Sequence, residues 1–172
     1  MANALTVPHA VAALVLCVAG LAKLRAPRAA ARAVGLAPAQ VRAFAALEVA
    51  LGAWALVAAG AASSVSIGAL YAGFAVLALV LARRGHACGC FGQMREPASA
   101  IHSLLSVALA LIATVSAVAA PHTLGWILER PAQTTTVLVL GTAGAVYGVV
   151  LAYSELPQLW RSWSPDGERR PA

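Results

Sequence analysis

The chain has 172 residues, 61% of them hydrophobic and only 10% charged. A soluble domain carries about 25% charged residues. Here the apolar residues also run in long blocks, not in amphipathic stripes, so the composition excludes a soluble enzyme and indicates a multi-span membrane protein. The formal charge of +6 does not indicate nucleic acid, because the basic residues lie between apolar blocks, where membrane proteins keep Lys and Arg.

Five apolar segments follow one another, at about 5–22, 44–62, 65–82, 101–119 and 136–153. Each is close to the ~20 residues that cross ~30 Å of hydrocarbon. Lipid offers no hydrogen bonds, so each segment is predicted to be a helix. Met1 to Leu5 has no basic residue, so the first segment is read as a span and not as a signal peptide. The loop after it holds Lys23, Arg25, Arg28, Arg32 and Arg42 and no acid. Within it, Pro27 to Val34 is read as a short interfacial helix with its arginines toward headgroups. Pro38 suits the first turn of the second span, Ser63 and Ser64 a tight turn before the third, and Pro97 the start of the fourth. Trp126, between the fourth and fifth spans, is placed at the interface, as are Trp160 and Trp163. The expected organisation is a four-helix core over 1–119, a linker and fifth span over 120–155, and a polar, disordered tail over 156–172.

Five spans alternate sides, so the loops after spans one and three and the C-terminal tail share one face. That face carries Cys88-Gly89-Cys90-Phe91-Gly92. Lys23 ends span one there, His102 opens span four there, and Glu48 is the one carboxylate set inside an apolar segment. Cys17 precedes Lys23 by six residues, roughly 9 Å deeper along a helix. An intramembrane carboxylate is costly and suggests function, although Glu48 could serve only to pair with Lys23 or Arg42. Cys17 reads as a small buried hydrophobe or as a third thiol, and His102 as a helix-end polar residue or as a proton carrier.

Three cysteines are too few for a disulfide framework, but two of them one residue apart suit thiol–disulfide exchange. Gly89 and Gly92 allow the backbone to close a small ring, and small-ring disulfides are strained and easily reduced. Arg83, Arg84, His86 and Arg95 favour the thiolate, the attacking species. A competing reading takes His86, Cys88, Cys90 and His102 as soft ligands for copper or zinc, although their spacing is unlike structural zinc patterns. A third makes the chain a structural subunit of a membrane complex with an incidental dithiol.

The run Gly20-Leu21-Ala22-Lys23-Leu24-Arg25-Ala26-Pro27 resembles the GxxKLxxP element that ends the first helix of DoxX-like and MauE-like membrane proteins. Leu47-Glu48 followed by Gly52 is similar to their second-helix LExxxG element. Cys88-Gly89-Cys90-Phe91-Gly92 resembles the CGCFG motif of MauE, the methylamine-utilisation protein. The resemblance implies an all-α, polytopic membrane bundle with a four-helix core akin to DoxX and vitamin K epoxide reductase-like proteins, extended by a fifth helix. It implies an oxidoreductase role in maturing disulfide-rich exported proteins, with Cys88, Cys90, Glu48 and Lys23 at the site; Gly89, Phe91, Gly92 and His102 are read from their position as supporting residues. The implied partners are the bilayer and a thioredoxin-like or other thiol redox protein, with a quinone as the candidate cofactor. The family pattern carries Asn near the start of helix four, where this chain has His102, and the second CxxC pair of the epoxide reductase-like enzymes is absent.

Eleven of the twelve Lys and Arg residues fall on the dithiol face and only Arg130 on the other. Charge bias therefore puts the dithiol in the cytoplasm, whereas the resemblance puts it outside, where disulfides are made.

Overall fold

The computed structural model describes residues 2–86 and 98–163, the last four of these by backbone alone. Seven helices make up the described residues: α1 Ala2–Arg25, α2 Pro27–Val34, α3 Pro38–Val57, α4 Ala61–Arg83, α5 Ala100–Ala119, α6 Leu124–Leu128 and α7 Ala132–Trp163. Five of them, α1, α3, α4, α5 and α7, are long and apolar enough to span a bilayer. The protein is thus an all-helical, multi-pass membrane protein, and its outward apolar side chains, such as Val57, Val118 and Val137, face lipid.

The architecture is two helical hairpins and a flanking helix. α1 packs along α3, α4 packs along α5, and α1 also touches α4, α5 and α7. Over its most apolar stretch α1 is 56% buried and α7 only 6%, which puts α1 at the centre and α7 at the edge. The core follows: Ala12, Ala13, Val15 and Leu16 of α1 meet Ala55, Ile67, Tyr71, Leu109, Ala113 and Tyr153.

Without a hydrophobic force between helices in lipid, close backbone contact must hold the bundle. Two glycines provide it at the α1–α3 crossing. A Cβ on Gly52 would stand 2.5 Å from Cys17 Sγ and 2.7 Å from the Ala13 carbonyl oxygen. A Cβ on Gly20 would stand 2.7 Å from the Ala45 carbonyl oxygen. No other residue type fits either place without moving a backbone.

α2 matches the predicted interfacial helix residue for residue. Pro27, Ala30, Ala31 and Ala33 are buried, Ala30 and Ala31 against Val41, while Arg28 and Arg32 stay exposed. Gly35 ends it at φ 70°, in the left-handed region.

Several boundaries differ from the sequence expectations. The turn before α4 is at Ala58–Gly60, not at Ser63 and Ser64, which lie inside α4. The reason is local: Ser63 Oγ donates to the Ala58 carbonyl at 2.7 Å and accepts from Gly60 N–H at 3.2 Å, so the serine ties the turn from within the first helical turn. α3 starts at Pro38, as its place in the first turn predicts, and so six residues before the apolar block. α7 continues to Trp163, so 156–163 are helical and not part of a disordered tail, and Pro157 lies inside the helix. The expected helix start at Pro97 and the tail beyond 163 lie outside the described residues.

On the face opposite the dithiol, α6 and its flanks close over the start of α1. His122 N–H donates to Thr6 Oγ1 at 3.2 Å, and the His122 ring hydrogen bonds Asn3 Oδ1 at 2.9 Å. The same ring stacks on Trp126, 4.3 Å between centroids, and the Arg130 guanidinium lies 3.8 Å from the indole centroid. Trp126 is thereby fixed among polar groups at this end of the bundle.

Candidate functional site

Lys23 and Glu48 are brought together by the glycine crossing. Gly20 is one turn before Lys23 on α1, and Gly52 one turn after Glu48 on α3. With the two helices in backbone contact there, Lys23 Nζ lies 2.6 Å from Glu48 Oε1. Glu48 is fully buried and the Lys23 side chain is 12% exposed. Glu48 stands ten residues into α3, about 15 Å from the helix start. Arg42, the alternative partner, makes no ion pair with Glu48; Lys23 is the cation bonded to it.

The pair is only partly satisfied. Glu48 Oε2 is buried with no hydrogen-bond partner. Lys23 also lies over the Phe74 ring, 4.7 Å from its centroid, which adds a cation–π contact. Beside the ammonium is a recess of about 30 Å³, lined by Val15, Leu16, Ala19, Lys23, Tyr71, Phe74, Ser106 and Tyr153. The recess is lined almost wholly by apolar surface. Among its residues, Ser106 Oγ and Tyr153 OH are 2.9 Å apart, and Tyr71 OH donates to the Ala12 carbonyl at 2.6 Å.

Cys17 fits the packing reading at its position. Its Sγ faces the notch at Gly52 and lies 3.7 Å from the Val49 carbonyl. It is a free thiol, half buried in the α1–α3 contact.

His102 is buried in the first turn of α5. Ser99 N–H donates to its Nδ1 at 3.2 Å, and Ser99 Oγ lies 3.0 Å from the same nitrogen. With Nδ1 accepting, the neutral ring carries its proton on Nε2. The ring lies 6.0 Å from the Tyr153 ring, a contact between α5 and α7. Sequence reasoning placed His102 near the site but missed this contact with α7.

Cys88, Gly89, Cys90, Phe91 and Gly92 lie outside the described residues, as does Arg95. The two ends of their segment are described. Gly85 turns the chain at φ 68°, His86 N–H donates to the Leu81 carbonyl at 3.0 Å, and Ala98 N–H donates to the His86 carbonyl at 2.8 Å. Residues 87–97 thus begin and end at one closed neck, seated where buried Ala98 packs with Ala78 and Leu81 and against Val34 of α2. Leu81 is seven residues from Phe74, so the neck stands about 10 Å along α4 from the ring that Lys23 covers. The His86 side chain is exposed at the neck, and Nδ1 of His102 is taken up by Ser99. Among the described residues no three His, Cys, Asp or Glu side chains cluster as metal ligands.

The family model described as "Methylamine utilisation protein MauE" matches residues 1–121. No curated protein matches the chain, and no solved structure does.

Proposed function

The chain belongs to the MauE family, and from that premise we propose that it is a membrane thiol–disulfide exchange protein whose reversible pair is Cys88 and Cys90. The observation that carries the reading is the closed neck between His86 and Ala98. The described ends, His86 and Ala98, meet on the face that also holds the Lys23 end of α1. Arg83 and Arg84 end α4 beside the neck, and such positive charge favours the thiolate.

In this reading one thiolate attacks a disulfide of a partner protein and forms a mixed disulfide. The second thiolate then attacks the mixed disulfide and releases the partner. Two electrons pass from the Cys88/Cys90 dithiol to the partner disulfide, one disulfide forms and one is reduced, and no further oxidant is needed. The reverse direction oxidises a partner dithiol, with a membrane quinone as the candidate acceptor for later turnover. The family description suggests a protein of methylamine utilisation as the partner, with a thioredoxin-like protein as the alternative donor or acceptor. Lys23 and Glu48 act as positioning residues: their bond fixes the α1–α3 crossing that supports the dithiol face.

Redox titration in native membranes, read by thiol alkylation and mass spectrometry, tests the proposal. A reversible two-electron step confined to Cys88 and Cys90 is expected. Thiols that stay reduced at every poise would overturn it.

A further inference from the structure

Three buried polar atoms in the half of the bundle away from the dithiol have no hydrogen-bond partner: His9 Nδ1, Ser64 Oγ and Ser116 Oγ. Their residues are at most 1% exposed. Three contacts put them at one level. Tyr71 OH reaches the Ala12 carbonyl, and a helical Tyr leans toward the N-terminus of its own helix. The Tyr71 backbone is therefore level with about Leu16 on the parallel helix α1, and seven residues earlier on each helix Ser64 is level with His9. Gly68 faces Ala113, whose Cβ lies 3.4 Å from where a glycine Cβ would stand. In the antiparallel α4–α5 hairpin this sets Ser64, one turn before Gly68, opposite Ser116, one turn after Ala113. The Thr6–His122 bond ties α1 to the segment after α5 just outside this level.

The His9 ring fixes what the site needs. Its Nε2 hydrogen bonds the Ala55 carbonyl at 3.2 Å. A carbonyl only accepts, so Nε2 carries the proton of the neutral ring and Nδ1 offers a lone pair. A lone pair in an apolar core is costly without a donor. Serines in helices commonly bond back to the carbonyl four residues earlier, as Ser66 does to Ala62 and Ser154 to Val150. Ser64 and Ser116 have no such partner, which leaves two hydroxyls and one acceptor unused at one level.

We propose that His9, Ser64 and Ser116 enclose an internal water molecule. The water donates to His9 Nδ1 and bonds the two hydroxyls, making about the three bonds usual for a buried water. It joins α1, α4 and α5 by hydrogen bonds in the half of the bundle that lacks the Lys23–Glu48 pair, and it stands independently of any chemistry at Cys88 and Cys90.

Water-edited solid-state NMR on the full chain, labelled with ¹⁵N-histidine and uniformly ¹⁵N in separate samples, tests this in deuterated-lipid bilayers. The His9 signals are assigned by their loss in His9→Gln. Transfer from water protons to the His9 ring should build up several-fold faster than transfer to the Ala12 and Ala13 amides. Ser116→Val, which replaces the hydroxyl by methyl groups, should lose that fast transfer. A wild-type His9 ring as slow as those amides would mean a dry site in which the serines bond His9 directly, and would overturn the proposal. The wild-type measurement decides even if the variant does not fold.

Discussion

Lys23 and Glu48, 25 residues apart in sequence, bond at 2.6 Å inside the bundle because glycines one turn away on each helix let α1 and α3 touch. The carboxylate is fully buried, so the ammonium is what makes its charge tolerable there.

Removing one member of this pair is therefore worse than removing both. Lys23→Met leaves a buried carboxylate unpaired and should destabilise the protein by about 3–5 kcal/mol. The double variant Lys23→Met/Glu48→Met should recover most of that loss. Thermal unfolding in nanodiscs by circular dichroism checks the cycle; additive losses would mean that the two side chains do not depend on each other.

The Gly52 contact is with backbone as well as with a thiol. Gly52→Ala should cost about 1–3 kcal/mol through overpacking. Adding Cys17→Ala removes the thiol, but the Ala13 carbonyl still stands 2.7 Å from the new Cβ. Rescue should thus be partial. Complete rescue, seen as a melting temperature equal to that of Cys17→Ala alone, would assign the close approach to the thiol only.

Tyr71→Phe removes a bond to a carbonyl that already belongs to α1, and leaves no donor stranded. The loss should be modest, about 0.5–1.5 kcal/mol. A drop as large as that of Lys23→Met would show that the Tyr71 hydroxyl holds more than the Ala12 carbonyl.

For the proposed exchange chemistry, Cys88→Ser and Cys90→Ser should each abolish turnover, and one of them should trap a mixed disulfide with the partner. Non-reducing electrophoresis with mass spectrometry reads both outcomes. Full activity in either variant would rule out the dithiol as the reversible pair.

The spans, the interfacial helix over Pro27 to Val34 and the family elements were legible in the chain itself. Transfer of apolar residues into lipid and internal satisfaction of backbone groups depend on local composition, so block lengths suffice for them. Helix ends were less legible, because they turn on individual bonds. Ser63 moved a turn to Ala58–Gly60 by bonding across it, and α7 runs on past Pro157 to Trp163. The sequence also marked Lys23 and Glu48 as polar residues of one leaflet. Only the tertiary structure decided that they touch, that Gly20 and Gly52 are the reason, and that His9, Ser64 and Ser116 share a level. Those facts depend on which helix faces meet, and in an alanine-rich bundle the facing is settled by the few places where two backbones can come close.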